Sequence, residues 1–199
     1  MNRPREFDDT RSHLLDTGEA VIRGKGFAAV GLAELLTAAG VPKGSFYHYF
    51  RSKEGYGVDL LSRYFQRHEQ DMQRWLMEGP GTAASRLSHY FSQWAAKHDV
   101  AAGQVGCLAV KLSAEVCDLS EPMRAVLVQG MARTEEQLAD AICAAQQDGS
   151  LELGQDAPLL AQALHQLWIG AELLARVQRS AAPLQQALQQ TNRWLQITA

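Results

Sequence analysis

The stretch that most restricts how this chain can fold is Val41-Pro42-Lys43-Gly44-Ser45-Phe46-Tyr47-His48-Tyr49-Phe50-Arg51-Ser52-Lys53. Pro42 suits the first turn of a helix, where its missing N–H has no intrahelical partner. Ala38-Ala39-Gly40-Val41 supplies a glycine where a tight turn between helices needs one. A helix is therefore predicted from about Pro42. At 3.6 residues per turn, Phe46, Tyr49 and Phe50 share an inward side, while Lys43, Ser45, Tyr47 and His48 point outward. That outward set consists of donors, on a short helix like the second one of a helix-turn-helix, which lies in the major groove of DNA.

The flanks fit the same unit. From Thr10 as N-cap, Leu14, Leu15, Ala20, Val21 and Ile22 follow a helical pattern that ends at Gly24-Lys25-Gly26. Residues 1–9 read as a polar lead, either a solvated tail or an arm whose Arg3 and Arg5 touch phosphate or the minor groove. A second helix opens at Gly31 and buries Leu32, Leu35, Leu36 and Ala39. Ser52 caps a longer helix through Leu60, Leu61, Tyr64, Phe65 and His68 toward Trp75-Leu76, stopped by Gly79-Pro80-Gly81. Its N-terminus and Lys53 favour a phosphate.

Beyond residue 80 the pattern stays helical. Segments 83–98, 107–119, 122–148, 158–179 and 183–197 carry apolar residues at three-to-four spacing, and no alternating strand pattern occurs. The expected class is all-α, with about nine helices: a three-helix head at 1–55 and a helical body at 56–199, divided inside the fourth helix near Tyr56. Segment 158–179 is apolar on more than one side, with Leu159, Leu160, Leu164, Leu167, Trp168, Ala171, Leu174 and Val177. Such breadth implies burial by two partners. With Leu184, Leu188, Trp194 and Leu195 it predicts a homodimer joined by the last two helices of each subunit.

Charge supports a local rather than global contact with nucleic acid. The net charge is −3, yet residues 1–68 hold 10 Lys+Arg against 8 Asp+Glu, which leaves 9 against 14 for the rest. No apolar run approaches the roughly 18 residues of a membrane span, and the polar N-terminus does not resemble a signal peptide, so a cytoplasmic protein is expected. Three cysteines, Cys107, Cys117 and Cys143, have no metal-ligand spacing, and neither do His89, His98 and His165. No nucleophile motif, cofactor or metal site is read. If Cys107 and Cys117 share a helix they lie about 15 Å apart, roughly twice what a disulfide spans.

The run Gly26-Phe27, Leu35-Leu36, Ala39-Gly40-Val41, Lys43 to Phe50 and Ser52-Lys53-Glu54 resembles the DNA-binding domain of the TetR family of bacterial transcriptional repressors. Gly106-Cys107-Leu108-Ala109-Val110-Lys111-Leu112-Ser113-Ala114-Glu115-Val116-Cys117-Asp118-Leu119-Ser120-Glu121 is similar to the subgroup that represses N-ethylmaleimide reductase and responds to electrophiles. The resemblance implies a homodimer on a palindromic, double-stranded operator. It assigns Lys43 and Ser45 to base edges or nearby phosphates, Gly44 to close backbone approach, and Tyr47, His48 and Lys53 to phosphates. Gly31 stands where the family usually has Ser or Thr, so a hydroxyl contact to phosphate is missing here.

Cys107 is the candidate sensor. A free cysteine is commonly a small buried hydrophobe. Gly103 to Gly106, however, break the helix and place this thiol in a first turn, where the dipole and free N–H groups favour a thiolate; Lys111 at i+4 would add to that, unless it pairs with Glu115. The resemblance also implies a basic residue from the penultimate helix beside the thiol. Arg176 holds that place here, in place of an expected Lys, and an arginine supplies charge but no nucleophilic amine. Trp75, Tyr90, Phe91, Trp94 and Trp168 either line a ligand cavity or fill the body. The predicted activity is repression relieved by an electrophile or oxidant at Cys107. The alternatives are a reversibly bound small-molecule inducer, or a thiol-dependent helical enzyme.

Overall fold

The computed structural model describes the backbone of residues 3–96, 106–152, 154 and 156–196, and side chains from Asp9 onward within them. Among these residues every regular element is helical, as expected. Helix α1 spans Arg3–Lys25 and so starts ahead of Thr10. The lead, read as a solvated tail or an arm, is helical from Arg3, and a proline at position 4 is tolerated because a first turn needs no N–H there. The side chains of Arg3 and Arg5 lie outside the described residues.

Helix α2, Leu32–Ala39, is capped by Gly31 with extended backbone and ends at Gly40 with φ of 63°. That left-handed turn lets Gly40 N donate to Thr37 O and Val41 N to Leu36 O at 3.1 Å, which closes the helix and redirects the chain. Pro42, at φ −63°, is the N-cap of α3, Lys43–Tyr49. Helix α4, Lys53–Met72, begins where Ser52 Oγ accepts Gly55 N at 2.9 Å. The helix continues to Trp75–Leu76 as expected, but through a π-helical turn, Gln73–Met77. Its widened end leaves the Leu76 carbonyl to accept Arg86 Nε at 2.6 Å.

The body comprises α5 Ala83–Ala96, α6 Leu108–Val116, α7 Glu121–Gln147, α8 Ala157–Gln178 and α9 Ala182–Trp194. Ser120 caps α7 by accepting Met123 N, and Asp156 caps α8 by accepting Leu159 N at 3.0 Å. Apolar packing forms two clusters. One joins α1–α4 to α6 and the start of α7, through residues such as Leu14, Phe46, Tyr56, Leu112 and Met123. The other fills the space between α5, α7, α8 and α9, with Trp168 stacked on Phe91 at 5.0 Å and donating to Thr191 Oγ1.

Aromatic contacts fix the orientation of α3. Phe46 and Phe50 are buried, and both pack on Tyr56 of α4 at ring separations of 5.6 and 4.9 Å. Pairs of this kind contribute about 0.5–1.5 kcal/mol beyond area burial. Helix α1 is tied to α4 as well. Tyr56 Oη donates to Leu14 O at 2.9 Å, Arg63 and Arg67 both reach Asp16, and Arg11 pairs with Asp59. A Cβ on Gly18 would stand 1.6 Å from Tyr56 Oη, so the absence of a side chain there permits the approach.

Gly18→Ala should therefore displace Tyr56 and destabilise the fold by about 1–3 kcal/mol. Gly24→Ala, at a helical position with nothing within 4 Å of its Cβ, should leave stability unchanged or raise it by up to about 1 kcal/mol. Thermal denaturation followed by circular dichroism separates the two. Equal melting temperatures would contradict the packing argument.

Candidate nucleic-acid interface and sensor cavity

The sequence-predicted faces of α3 are the observed ones. Lys43, Gly44, Tyr47 and His48 are exposed, Ser45 is partly so, and Phe46 and Phe50 are buried with Tyr49 partly covered. Tyr47 is 50% exposed although its ring meets Phe46 edge-on at 5.6 Å. Gly44 and Gly31 both face open space: a Cβ on either would meet nothing within 4 Å. Internal packing therefore does not require a glycine at either place, and each leaves bare backbone toward an approaching surface.

Lys53 is placed differently from the expectation. Its Nζ donates to Phe27 O at 2.7 Å and lies 4.7 Å from the centre of the Phe27 ring. Burial pushes the ammonium below its usual pKa, with Glu115 opposing that shift. In the free protein Lys53 fastens the loop after α1 to the start of α4.

Cys107 is the N-cap of α6, with φ −67° and ψ 119°, one residue ahead of the first turn in which it was expected. The expected low-pKa thiol is not found. Burial raises the Cys107 pKa above the ordinary value. A hydrogen bond with Tyr64 and the backbone groups of Val110 and Ala109 push it down, while Glu172 raises it further. The helix-end N–H groups thus act in the anticipated direction, and desolvation outweighs them. Tyr64 Oη lies 3.2 Å from Sγ. Cys117 caps the far end of α6 and is exposed, and both cysteines are free thiols.

Lys111 is not aimed at the thiol. Its Nζ donates to Arg23 O at 2.7 Å and Gly24 O at 2.8 Å, the carbonyls left open where α1 ends. Burial lowers its pKa first, and Arg176 lowers it further. Glu115 opposes these shifts from within electrostatic reach of Lys111, while its carboxylate accepts Ala28 N at 3.2 Å. Arg176 lies within electrostatic reach of Lys111, and its Nη1 is buried without a hydrogen-bond partner among the described residues.

The residue that sequence reading missed is Glu172, which is fully buried on α8. Its Oε1 accepts Cys107 N at 3.0 Å and its Oε2 accepts Trp94 Nε1 at 3.3 Å. On the other face of the same peptide, Arg23 Nη1 donates to Gly106 O at 2.6 Å. The Gly106–Cys107 peptide is thereby gripped by its N–H from α8 and by its C=O from α1. Gly106 has φ of 69°, and a Cβ there would overlap Glu172 Oε1 at 1.3 Å, so only glycine permits the grip. An acid inside the broadly apolar 158–179 segment was a readable signal, since buried acids are retained with partners.

Beside this peptide lies a cavity of about 420 Å³, whose lining includes Tyr64, His68, Tyr90, Trp94, Cys107 and Met131. Trp75, Tyr90 and Trp94 therefore line a cavity, and Tyr90 also belongs to the core cluster in which Phe91 and Trp168 pack. Tyr64 and His68 stack with rings nearly parallel. Burial holds both phenols well above the usual tyrosine pKa, and each also feels Cys107. Tyr90 Oη is buried with no hydrogen-bond partner among the described residues, a deficit worth about 1–3 kcal/mol. No group of three metal-ligating side chains occurs among the described residues, and no helix there is long and apolar enough to cross a membrane.

Comparison with known proteins gives consistent matches. Residues 14–56 match the family described as bacterial regulatory proteins, tetR family, and residues 83–191 match the tetracyclin repressor-like, C-terminal domain. The chain is 43% identical over 188 residues to the HTH-type transcriptional repressor NemR of Escherichia coli (strain K12), covering 94% of each. It is 32% identical over 178 residues to the HTH-type transcriptional repressor DhaR of Mycobacterium sp. (strain GP1), covering 89% of this chain and 88% of that one. The crystal structure of E. coli NemR in its reduced form superposes with a TM-score of 0.85 at 42% identity, covering 92% of this chain and 96% of the other.

With its pKa raised, the Cys107 thiol should react with iodoacetamide more slowly than exposed Cys117 at pH 7. Its rate should keep climbing, about tenfold per pH unit, past the ordinary thiol value of about 8.5. Peptide mass spectrometry over a pH series reads both rates. A plateau at Cys107 below pH 8 would mean a preformed thiolate and contradict this site description.

Proposed function

The chain belongs to the tetR family of bacterial regulatory proteins, and on that footing we propose that it is a dimeric repressor released from operator DNA by modification of Cys107. It is a regulator and not an enzyme, as are the transcriptional repressors that match it over most of their length. The observation that carries the reading is the outward face of α3, exposed on a helix whose inner face is locked by Phe46, Phe50 and Tyr56. Such a helix presents side chains to a groove at little entropic cost. Lys43 and Ser45 read base edges or adjacent phosphates; Tyr47 and His48 hold phosphates; Gly44 and Gly31 let backbone approach. Residues 1–55 form the reading head and 56–199 the sensing and dimerising body, working in the cytoplasm.

Dimerisation through α8 and α9 is supported by Leu173, Leu174 and Val177, exposed by 50%, 49% and 74% along one stretch of α8. Two heads so joined span successive major grooves, roughly 34–36 Å apart, on a palindromic site.

The Gly106–Cys107 peptide supports a specific release mechanism. It links α8 to α1 directly, through Glu172 and Arg23, and does not depend on α4 alone. A group added to Sγ enlarges a crowded junction, loosens the Glu172 and Arg23 bonds, and frees the end of α1 from Lys111 and Glu115. Because α1 is bound to α4 through Asp16 and Leu14, both move and the spacing of the two α3 helices is lost. The cavity also admits a second reading, a reversibly bound small molecule. Recovery of DNA binding on dilution, with no mass added to the protein, would identify that case.

Gel-shift titration with DNA flanking the protein's own gene tests this function. Binding should be salt-sensitive and lost on electrophile treatment, whereas Cys107→Ser should keep its DNA under the same treatment. Normal release by Cys107→Ser would remove the thiol from the mechanism. Gly44→Ala separates interface from fold: it should stabilise α3 by up to about 1 kcal/mol yet weaken operator binding. Unchanged affinity would remove Gly44 from the interface.

A further inference from the structure

We infer that the junction of α1, α6 and α8 binds a small oxyanion of the inorganic phosphate kind, bridged between the guanidinium of Arg176 and the ammonium of Lys111. The observation behind it is a pair of like charges that the described residues do not compensate. Arg176 stands in the last turn of α8, and its Nη1 is buried with no hydrogen-bond partner among those residues. The charge that Lys111 feels most is this second cation. After burial, Arg176 is the largest influence lowering the Lys111 pKa, and Glu115, one turn along α6, opposes it more weakly. Lys111 gives two N–H groups to Arg23 O and Gly24 O, at 2.7 and 2.8 Å, whereas an ammonium has three. Arg23 adds a third positive charge, but Glu19 and Gly106 O already engage its guanidinium at 2.7 and 2.6 Å.

The donor set selects an oxyanion over a simple halide. A guanidinium presents a planar fork of N–H groups that matches two oxygens of one anion, and an ammonium adds a donor of no fixed direction. A phosphate has oxygens enough for both. Arg176 is partly exposed as a residue, and its long stem lets a small rotation carry the fork to an anion arriving from solvent. Two cations in a partly desolvated junction repel each other, and an anion between them replaces that repulsion with two attractions. Glu115 and Glu172, the latter one turn before Arg176 on α8, hold the affinity to about the millimolar range. The position gives the anion a structural effect. Lys111 already closes the end of α1 and Arg176 belongs to α8, so the bridge fastens the head's first helix to the body. Binding is reversible, makes no covalent bond, and does not rest on the reading of Cys107.

The test is calorimetric titration of the full chain with inorganic phosphate, at an ionic strength held constant with sodium chloride, alongside thermal denaturation at each phosphate concentration. The parent should bind phosphate saturably, and its melting temperature should rise with occupancy. Arg176→Gln should weaken that binding by roughly 10- to 100-fold, the loss expected for hydrogen bonds to a charged group. Arg176→Lys keeps the charge without the fork and should fall between the two, which also provides a reading should Arg176→Gln fail to fold. The outward face of α3 can attract phosphate as well, so Lys43→Gln is the control and should bind within about twofold of the parent. Absence of saturable phosphate binding by the parent would overturn the proposal, as would equal affinity in the parent and the Arg176 variants. A loss confined to Lys43→Gln would do the same and place the anion on the DNA-reading face.

Discussion

One peptide bond organises this molecule. The Gly106–Cys107 unit gives its N–H to a buried carboxyl on α8 and its carbonyl to an arginine on α1. Both bonds are made in a partly desolvated junction, where an abandoned polar group costs far more than it would in water. Breaking either one therefore affects two helices that belong to different ends of the chain. The glycine is part of the arrangement, since any Cβ at position 106 would occupy the space of the Glu172 carboxyl.

From that peptide the constraint spreads along α6. Lys111 closes the open carbonyls at the end of α1, and one turn further Glu115 holds the Ala28 amide in the loop that follows. The head is thus seated on α6 as well as on α4, and the apolar cluster around Leu14 and Tyr56 continues into Leu112 and Val116. A head carried on two supports responds to a disturbance of either. The thiol sits at the residue before α6, where the proposed modification would reach both supports. A raised thiol pKa is compatible with that proposal, because slow general reactivity protects the junction from indiscriminate modification.

The helical elements and the outward face of α3 were legible because they depend on local periodicity and on turn residues. Gly40, Pro42 and Ser52 act where their chemistry predicts, and Phe46 and Phe50 face inward as spacing requires. What was not legible was long-range. Lys53 and Lys111 have the right charge for the roles expected of them, but carbonyls 26 and 88 residues away in sequence claim their ammonium groups. The nearness of Cys107 to a helix start was legible, whereas the direction of its pKa shift depends on how α4, α5 and α8 enclose it, which spacing does not encode. Helix α1 exceeded its expected start because a proline in a first turn does not interrupt a helix, so Pro4 gave no stop signal. Glu172 was visible as an acid in an apolar helix, but its partner is a backbone amide that only the fold identifies.

Hydrogen–deuterium exchange on the full chain before and after stoichiometric alkylation of Cys107 tests the central claim most directly. If one peptide couples the thiol to the head, the Cys107 amide, held by Glu172, and the Ala28 amide, held by Glu115, should lose protection together as DNA affinity falls. Loss of operator binding with both amides still protected would contradict the account and place the switch elsewhere in the fold.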